Sequence, residues 1–230
     1  MDEIPFGKIK RQSISQQIYK KLKDRILDGD LPPGTHLLEN KIAEQAGISR
    51  GPIREALRYL EADGLVEVRA NIGTFVHTLT TEEITEIYTV RSLLEGYTTK
   101  LAAEKATRLG VEKLRRIMQA AQKSAKNGDL KETIKHDFDL HRQIWEMADH
   151  QILYDLLHHL EWRVRMLIAL QAPLFSQLAD SIQDHTIIVD AIAEGNGERA
   201  SNLVQEHIKQ AGALIIQHIE SKEEQLKEMN

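Results

Sequence analysis

The sequence predicts a mainly α-helical fold in two parts, an N-terminal winged helix-turn-helix and an all-α, six-helix antiparallel bundle. Apolar residues recur every three or four positions through most of the chain, as on the buried face of a helix. Two short segments near residue 70 alternate instead like strands, and breaks rich in Gly, Pro and Asn divide the remainder into six stretches. We predict a domain of residues 1–78 and a second of residues 79–230.

The N-terminal elements follow from local signals. A first helix is predicted over residues 13–27, where apolar residues are spaced by four, and it ends at Asp28-Gly29-Asp30. Two short helices follow, joined at Gly47, and Ser49 has the side chain of a good N-cap for the second one. Residues 65–69 and 74–76 then form a predicted hairpin. A helix, a helical pair and a hairpin in this order indicate a winged helix-turn-helix, whose second paired helix enters the DNA major groove.

The second domain is predicted to be helical throughout. Thr80 and Glu83 have the spacing of a capping box that opens its first helix. One break is predicted at Ala172-Pro173. The six helices are expected at about 81–108, 111–127, 129–148, 150–171, 175–194 and 197–221.

Composition excludes several classes of protein. With 230 residues, 41% hydrophobic and 28% charged, the chain is globular, and no run reaches the roughly 20 apolar residues of a membrane span. The N-terminus lacks the apolar stretch of a secretion signal, so we expect a cytoplasmic protein. No cysteine is present, so a metal site must use His and carboxylate. Residues 1–78 carry a net charge of +1 and residues 79–230 a net charge of −6, so any DNA contact must be local to the first domain.

The helix-turn-helix segment resembles the DNA-binding domain of GntR-family transcription regulators. The similarity runs from Leu38 to Leu57 (LENKIAEQAGISRGPIREAL) and continues at Asp63-Gly64-Leu65-Val66. The resemblance implies DNA contacts by Ser49, Arg50 and Arg54, by Asn40 in the preceding helix and by Gly73 at the tip of the wing.

The residues themselves support a basic reading face. Arg50, Arg54 and Arg58 follow one another at steps of four on one face of the second helix, opposite its apolar stripe. Arginine is the side chain best suited to bidentate hydrogen bonds with guanine and also binds phosphate. The alternative is a set of surface ion pairs, for example of Arg58 with Glu55 or Glu61.

The helical domain resembles the FCD effector-binding domain of the FadR subfamily, in its smaller, VanR-like version. The similar stretches are Val90 to Glu95, Asp137 to His141 and His185 to Ile192, with His207 downstream, although the family often has Phe where Leu140 stands. The resemblance implies that Asp137, His141, His185 and His207 hold a divalent metal ion. Oxygen and nitrogen donors suit Zn²⁺, Ni²⁺ or Mn²⁺.

Two features of this site remain open at the level of sequence. Asp137 and His141 are four residues apart and share one side of a helix, but such a pair also occurs by chance in a chain with ten histidines. Arg91 is a candidate to pair with the carboxylate of an effector bound at or beside the metal. It could equally form a structural salt bridge with Glu95.

The sequence thus predicts a homodimeric transcription regulator, most often a repressor in such families, that binds a palindromic operator in double-stranded DNA and responds to a small organic acid. A single recognition helix contacts only a few base pairs, so usable sequence specificity needs two DNA-binding domains. The alternatives are a metal-dependent hydrolase, with Asp139 or Glu95 as general base, and a structural interaction protein with a vestigial helix-turn-helix. We predict that the protein is not an enzyme, because a catalytic function would not account for the DNA-binding domain.

Overall fold

The computed structural model describes residues 13–169 and 175–228. The chain divides into two compact units, Met1–Thr78 and Leu79–Asn230. The break predicted at Ala172-Pro173 lies outside the described residues. Within the described ranges, no helix has the length and apolar character needed to cross a bilayer.

The first unit contains three helices and a two-stranded antiparallel sheet. Its elements are α1 (Ile14–Leu27), α2 (Glu39–Ala46), α3 (Arg50–Ala62), β1 (Val66–Arg69) and β2 (Gly73–Val76). Each helix contributes one apolar face to a small core, because apolar side chains recur at helical spacing. The fully or nearly fully buried core side chains are Leu22, Ile26, Leu37, Ala43, Ile53, Ala56, Leu57, Leu60, Leu65, Val66 and Val76.

The turn between α2 and α3 fixes the helix-turn-helix. Gly47 ends α2 with a φ of 65°, a left-handed conformation that glycine adopts without a Cβ clash. Ser49 occupies the predicted N-cap position of α3, but its side chain makes no capping hydrogen bond. Its hydroxyl is therefore not committed to the helix end.

The wing is the β1–β2 hairpin, extended by one neighbouring segment. Val66 pairs with Val76 and Arg69 with Gly73. Leu37 N donates to Thr74 O at 2.8 Å, and His36 forms a bridge with Phe75, so the loop before α2 runs beside β2.

The second unit is built from six helices within the part of the chain that the structure describes. They are α4 (Thr81–Glu104), α5 (Arg108–Lys126), α6 (Leu130–Met147), α7 (Gln151–Ala169), α8 (Phe175–Ala193) and α9 (Gly197–Glu228). Thr80 and Glu83 form the predicted capping box. The first helix ends earlier than predicted, at Glu104, because Thr107 caps α5 through the backbone N–H of Gly110. These elements confirm the predicted fold class.

Close packing joins α4 to α9. A Cβ added at Gly96 would lie 2.4 Å from the Gln205 side chain, and one at Gly212 would lie 2.7 Å from Tyr88. Glycine at both positions therefore lets the two helices approach closely. This packing places the buried face of α4, which carries Arg91 and Glu95, at the centre of the bundle.

Candidate DNA-reading surface and metal centre

Helix α3 presents the predicted basic face to solvent. Arg50, Arg54 and Arg58 are exposed, while Ile53 and Leu60 on the opposite side are completely buried. The apolar stripe anchors the helix to the core of the head, so the guanidinium groups point away from it. This is the arrangement expected of a helix that enters the major groove.

Residues of α2 hold two of these arginines. Glu39 accepts two hydrogen bonds from Arg54, one from Nε at 3.2 Å and one from Nη2 at 3.1 Å. Arg50 Nη1 donates to Asn40 Oδ1 at 3.3 Å. The family resemblance predicted Asn40 on this surface but not Glu39, because a contact between residues 15 positions apart depends on how α2 crosses α3.

The wing residues have local partners as well. Gly73 has a φ of 136°, and a Cβ there would lie 2.4 Å from Nε2 of His36. The rings of Phe75 and His36 stack with their centres 4.3 Å apart. The guanidinium of Arg69 lies over the Phe75 ring, 4.4 Å from its centre. Packing within the head thus accounts for glycine at position 73, and its predicted DNA contact stays a prediction.

Three of the four predicted metal ligands converge in the core of the bundle. Donor atoms of His141, His185 and His207 lie within 4.8 Å of one another, and all three residues are buried. They come from α6, α8 and α9, which shows that packing of three helices brings distant sequence positions together. The His185 and His207 rings are the closest pair, with centres 4.4 Å apart.

Asp137 lies beside this group without belonging to its mutually close donor set. Its Oδ1 atom is 3.5 Å from Nε2 of His185, and the side chain is 28% exposed. The helical spacing predicted from the sequence therefore holds for Asp137 and His141, which both lie on α6 and both border His185.

The donor atoms fit a divalent metal ion. Nε2 of His141 and Nε2 of His185 are buried and make no hydrogen bond within the described structure. Burial, together with the nearby positive charge of Arg91, holds the pKa of His185 well below its ordinary value. His185 is therefore neutral at physiological pH, with a lone pair available for coordination.

A buried carboxylate borders the histidines from α4. Glu95 Oε2 lies 2.6 Å from His141 Nδ1, and Trp145 Nε1 donates to the same oxygen at 3.2 Å. Glu95 Oε1 accepts from Arg91 Nε at 2.5 Å. Burial alone would raise the pKa of Glu95, but the positive charge of Arg91 and the hydrogen bonds from Arg91 and His141 outweigh it and hold that pKa well below the ordinary range.

Arg91 is placed in the interior and is paired. It is 7% exposed, contacts Glu95, and lies 5.7 Å from the ring centre of Tyr88, whose pKa burial raises to about 12. Of the two interpretations of Arg91, the structure contains the salt bridge with Glu95, while a role in effector binding stays a prediction. Arg91 and Glu95 line a narrow cleft with Trp145 and Glu161 that does not admit a water molecule.

Comparison with known proteins identifies both domains. Residues 14–76 match the model of the bacterial regulatory proteins of the gntR family, and residues 86–210 match the FCD domain. A relative from Paenarthrobacter nicotinovorans, named "Probable D-xylose utilization operon transcriptional repressor", is 31% identical over 87% of this chain and 88% of its own. The gluconate operon transcriptional repressor of Bacillus subtilis is 29% identical over 79% of this chain and 74% of its own.

A solved structure agrees with these matches. The crystal structure of a GntR transcriptional regulator from Rhodococcus sp. RHA1 has a TM-score of 0.78 and 25% identity, and it covers 89% of this chain and 98% of that one. Family and relatives are transcription regulators rather than enzymes, which removes the hydrolase alternative. The chain belongs to the GntR family of DNA-binding transcription regulators and carries an FCD domain C-terminal to its winged helix-turn-helix domain.

Proposed function

We propose that this regulator is a homodimeric repressor whose operator affinity is controlled by a small carboxylic acid bound beside a divalent metal ion in the helical domain. Asp137, His141, His185 and His207 hold the metal ion in this proposal. We further propose that it acts in the cytoplasm, where its operator is accessible.

One observation carries the metal site. Two buried imidazole nitrogens, His141 Nε2 and His185 Nε2, lack a hydrogen-bond partner in the described structure and lie next to His207. A buried polar atom without a partner is costly, so an arrangement with two of them side by side is best explained by a ligand that satisfies both. Neutral imidazole and carboxylate donors suit Zn²⁺, Ni²⁺ or Mn²⁺.

Arg91 gives the site its preference for an anionic effector. A bound metal ion supplies a Lewis-acidic positive charge that attracts a carboxylate. Arg91 adds a guanidinium within the same buried region, and its Nε is held by Glu95. Because the cleft at Arg91 is too tight for water, effector binding requires the surrounding helices to rearrange, and this rearrangement is the proposed signal.

The DNA-reading residues are proposed from the geometry of the head. Arg50 and Arg54 enter the major groove and contact base edges, and Arg58 lies on the same exposed face. The Ser49 hydroxyl, free of a capping bond, and the Asn40 amide are placed to contact phosphate or bases at the start of α3. Gly73 brings the backbone of the wing close to the minor groove.

The proposed dimer surface is an exposed apolar stripe on α4. Val90, Leu93 and Tyr97 share one face and are 45%, 62% and 52% exposed. Helix α7, which packs against α4, exposes Ile152 and Leu156. Large apolar side chains grouped in this way typically cover a partner surface, and a second copy of the chain also supplies the second head that a palindromic operator needs.

Elemental mass spectrometry of untagged protein, purified without chelators or a nickel column, tests the metal site. We expect about one equivalent of a divalent ion per chain. His185→Ala should lower that content, while His159→Ala, which removes an exposed histidine of α7, should not. Metal-free wild-type protein that also fails to bind added Zn²⁺, Ni²⁺ and Mn²⁺ would overturn the proposed site.

A thermal-shift screen of the metal-loaded protein tests the effector class. The panel contains acetate, lactate, malate, citrate and gluconate, the last because it is the acid in the name of one relative. We expect at least one acid to raise the melting temperature and to weaken operator binding in a mobility-shift titration. Stabilisation by neutral sugars alone would contradict the carboxylate assignment.

A mobility-shift titration also tests the reading helix. Loss of a bidentate base contact costs about 1–3 kcal/mol, so Arg54→Ala should weaken binding to each half-site by about 5- to 160-fold. Arg108→Ala, on the exposed surface of α5, is the matched control. Unchanged affinity of Arg54→Ala would refute the assigned role.

A further inference from the structure

Glu95 lies between the two groups to which the proposed function assigns different tasks. It is 1% exposed, and its carboxylate contacts Arg91 through one oxygen and both His141 and Trp145 through the other. Arg91 belongs to the proposed effector site and His141 to the proposed metal site. The sequence could not predict the contact of Glu95 with His141, because 46 positions separate the two residues.

We propose that Glu95 is the positioning residue of the metal centre, which fixes His141 with a proton on Nδ1 and a free lone pair on Nε2. This inference rests on the proposed function for the presence of a metal ion, while the state of the His141 ring does not depend on it.

The hydrogen-bond chemistry at Glu95 supports this assignment. A carboxylate only accepts hydrogen bonds, and the Arg91 guanidinium at 2.5 Å holds Glu95 as a carboxylate. The contact of 2.6 Å from Glu95 Oε2 to His141 Nδ1 therefore requires a proton on Nδ1. A neutral ring with its proton on Nδ1 has its lone pair on Nε2.

The second ring nitrogen of His141 has surroundings that favour a lone pair. Nε2 of His141 is buried without a hydrogen-bond partner, and its ring borders both His185 and His207. A protonated Nε2 at this place would be a buried donor without an acceptor, whereas a lone pair there can coordinate a metal ion. Metal-binding histidines commonly donate their other N–H to a carboxylate, which orients the ring and raises its basicity.

Trp145 and Arg91 make this carboxylate a rigid partner. Each donates one hydrogen bond to Glu95, so its two oxygens are fixed by groups from α4 and α6. A second carboxylate near the histidines is held less tightly. Asp184 is 47% exposed, and its Oδ2 lies 3.6 Å from His207 Nδ1. Asp184 therefore offers a matched control for loss of a carboxylate beside a histidine.

The ring state is measured by long-range ¹H–¹⁵N correlation spectra of the full-length, metal-free chain, with the His141 signals assigned from a His141→Asn spectrum. We expect the Nδ1-protonated neutral form in the wild type. Glu95→Leu should lose it, and Glu95→Gln should keep it, because the amide oxygen still accepts the N–H. A wild-type His141 protonated on Nε2, or on both nitrogens, would overturn the inference.

Competition with a chromophoric chelator then measures Zn²⁺ affinity. Removing an outer partner of a metal-binding histidine weakens affinity about 10- to 100-fold, which is the loss expected for Glu95→Leu, with partial recovery in Glu95→Gln. Asp184→Asn should change affinity less than threefold. Because Glu95→Leu leaves Arg91 buried without its partner, the double variant Arg91→Met/Glu95→Leu is measured beside it, with circular dichroism to verify folding.

The outcomes separate this inference from the proposed function. Equal Zn²⁺ affinity of the wild type and both Glu95→Leu chains would overturn the positioning role while leaving the metal site in place. A wild type that binds none of Zn²⁺, Ni²⁺ and Mn²⁺ would overturn the metal site, and the spectra alone would then decide whether Glu95 sets the His141 ring.

Discussion

Glu39 and Arg54 form a two-point contact across the helix-turn-helix, with hydrogen bonds of 3.2 and 3.1 Å between the carboxylate of α2 and the guanidinium of α3. The Arg54 side chain is 64% exposed, so this contact orders a side chain that would otherwise sample many rotamers in water. A guanidinium already held in one plane loses less conformational entropy when it binds a base.

We therefore predict that Glu39→Gln lowers the ratio of operator affinity to non-specific DNA affinity. Loss of the carboxylate frees Arg54 and also removes a negative charge near phosphate, so binding to random DNA rises while operator binding does not rise with it. Fluorescence anisotropy with operator and scrambled duplexes at fixed salt measures the ratio. Glu44→Gln removes the same charge from the exposed side of α2 and should leave the ratio unchanged. Equal ratios for the two variants would show that Glu39 does not position Arg54.

Arg91 and Glu95 should show strong coupling in a double-mutant cycle. Breaking a buried ion pair from one side leaves an uncompensated charge, so Arg91→Met should destabilise the fold by about 3–5 kcal/mol. Replacing both residues removes both charges, and Arg91→Met/Glu95→Leu should cost clearly less than the sum of the single changes. Urea unfolding of the metal-free protein gives the four free energies. Additive values would mean that the two side chains act independently.

Buried His185 should make the metal-free fold sensitive to acid. The pKa of His185 lies well below 6.5 in the folded chain because of burial and nearby positive charge. In the unfolded chain it titrates near 6.5, so between these two values only the unfolded chain binds the proton. The contribution of His185 to the free energy of unfolding is therefore at its maximum above about pH 6.5. It falls by up to about 1.4 kcal/mol per pH unit as the pH decreases towards the folded pKa.

Urea unfolding from pH 7 to pH 5, with a chelator present, measures this effect. His185→Gln should show a shallower loss of stability with decreasing pH than the wild type. His159→Gln, at an exposed position, should retain the wild-type slope. Identical slopes for His185→Gln and wild type would contradict the assigned cause.

The α4 stripe should control the oligomeric state. Leu93→Glu places a charge in the middle of the exposed apolar face and should convert the proposed dimer to a monomer in sedimentation velocity, with a matching loss of operator affinity. Leu109→Glu, which alters a 73% exposed leucine of α5, should leave the dimer intact. A Leu93→Glu chain that still sediments as a dimer would move the interface elsewhere.

Sequence patterns predicted the elements of the fold well, because each depends on neighbouring residues. The capping box of Thr80 and Glu83 and the left-handed turn at Gly47 are local signals, and both are present. The Ser49 N-cap is only partly as expected, since the position is right and the capping hydrogen bond is missing.

Local sequence spacing could not predict contacts between residues that are distant in the chain. The i, i+4 spacing allowed a salt bridge of Arg91 with Glu95, and the structure contains it. The same spacing could not show that α6 packs against α4 so that Glu95 also contacts His141 and Trp145. The partner of Arg54 was missed for the same reason, because Glu39 lies on a different helix.

The two faces of helix α4 border different sites, and in the proposed dimer this couples the binding sites of the two protomers. Its inner face carries Glu95, which contacts His141, and its outer face carries Leu93 of the apolar stripe. We expect a movement of α4 in one protomer to shift the apolar stripe that contacts the other protomer. Metal or effector titrations of the dimer should therefore be cooperative, with a Hill coefficient above one that the Leu93→Glu chain loses.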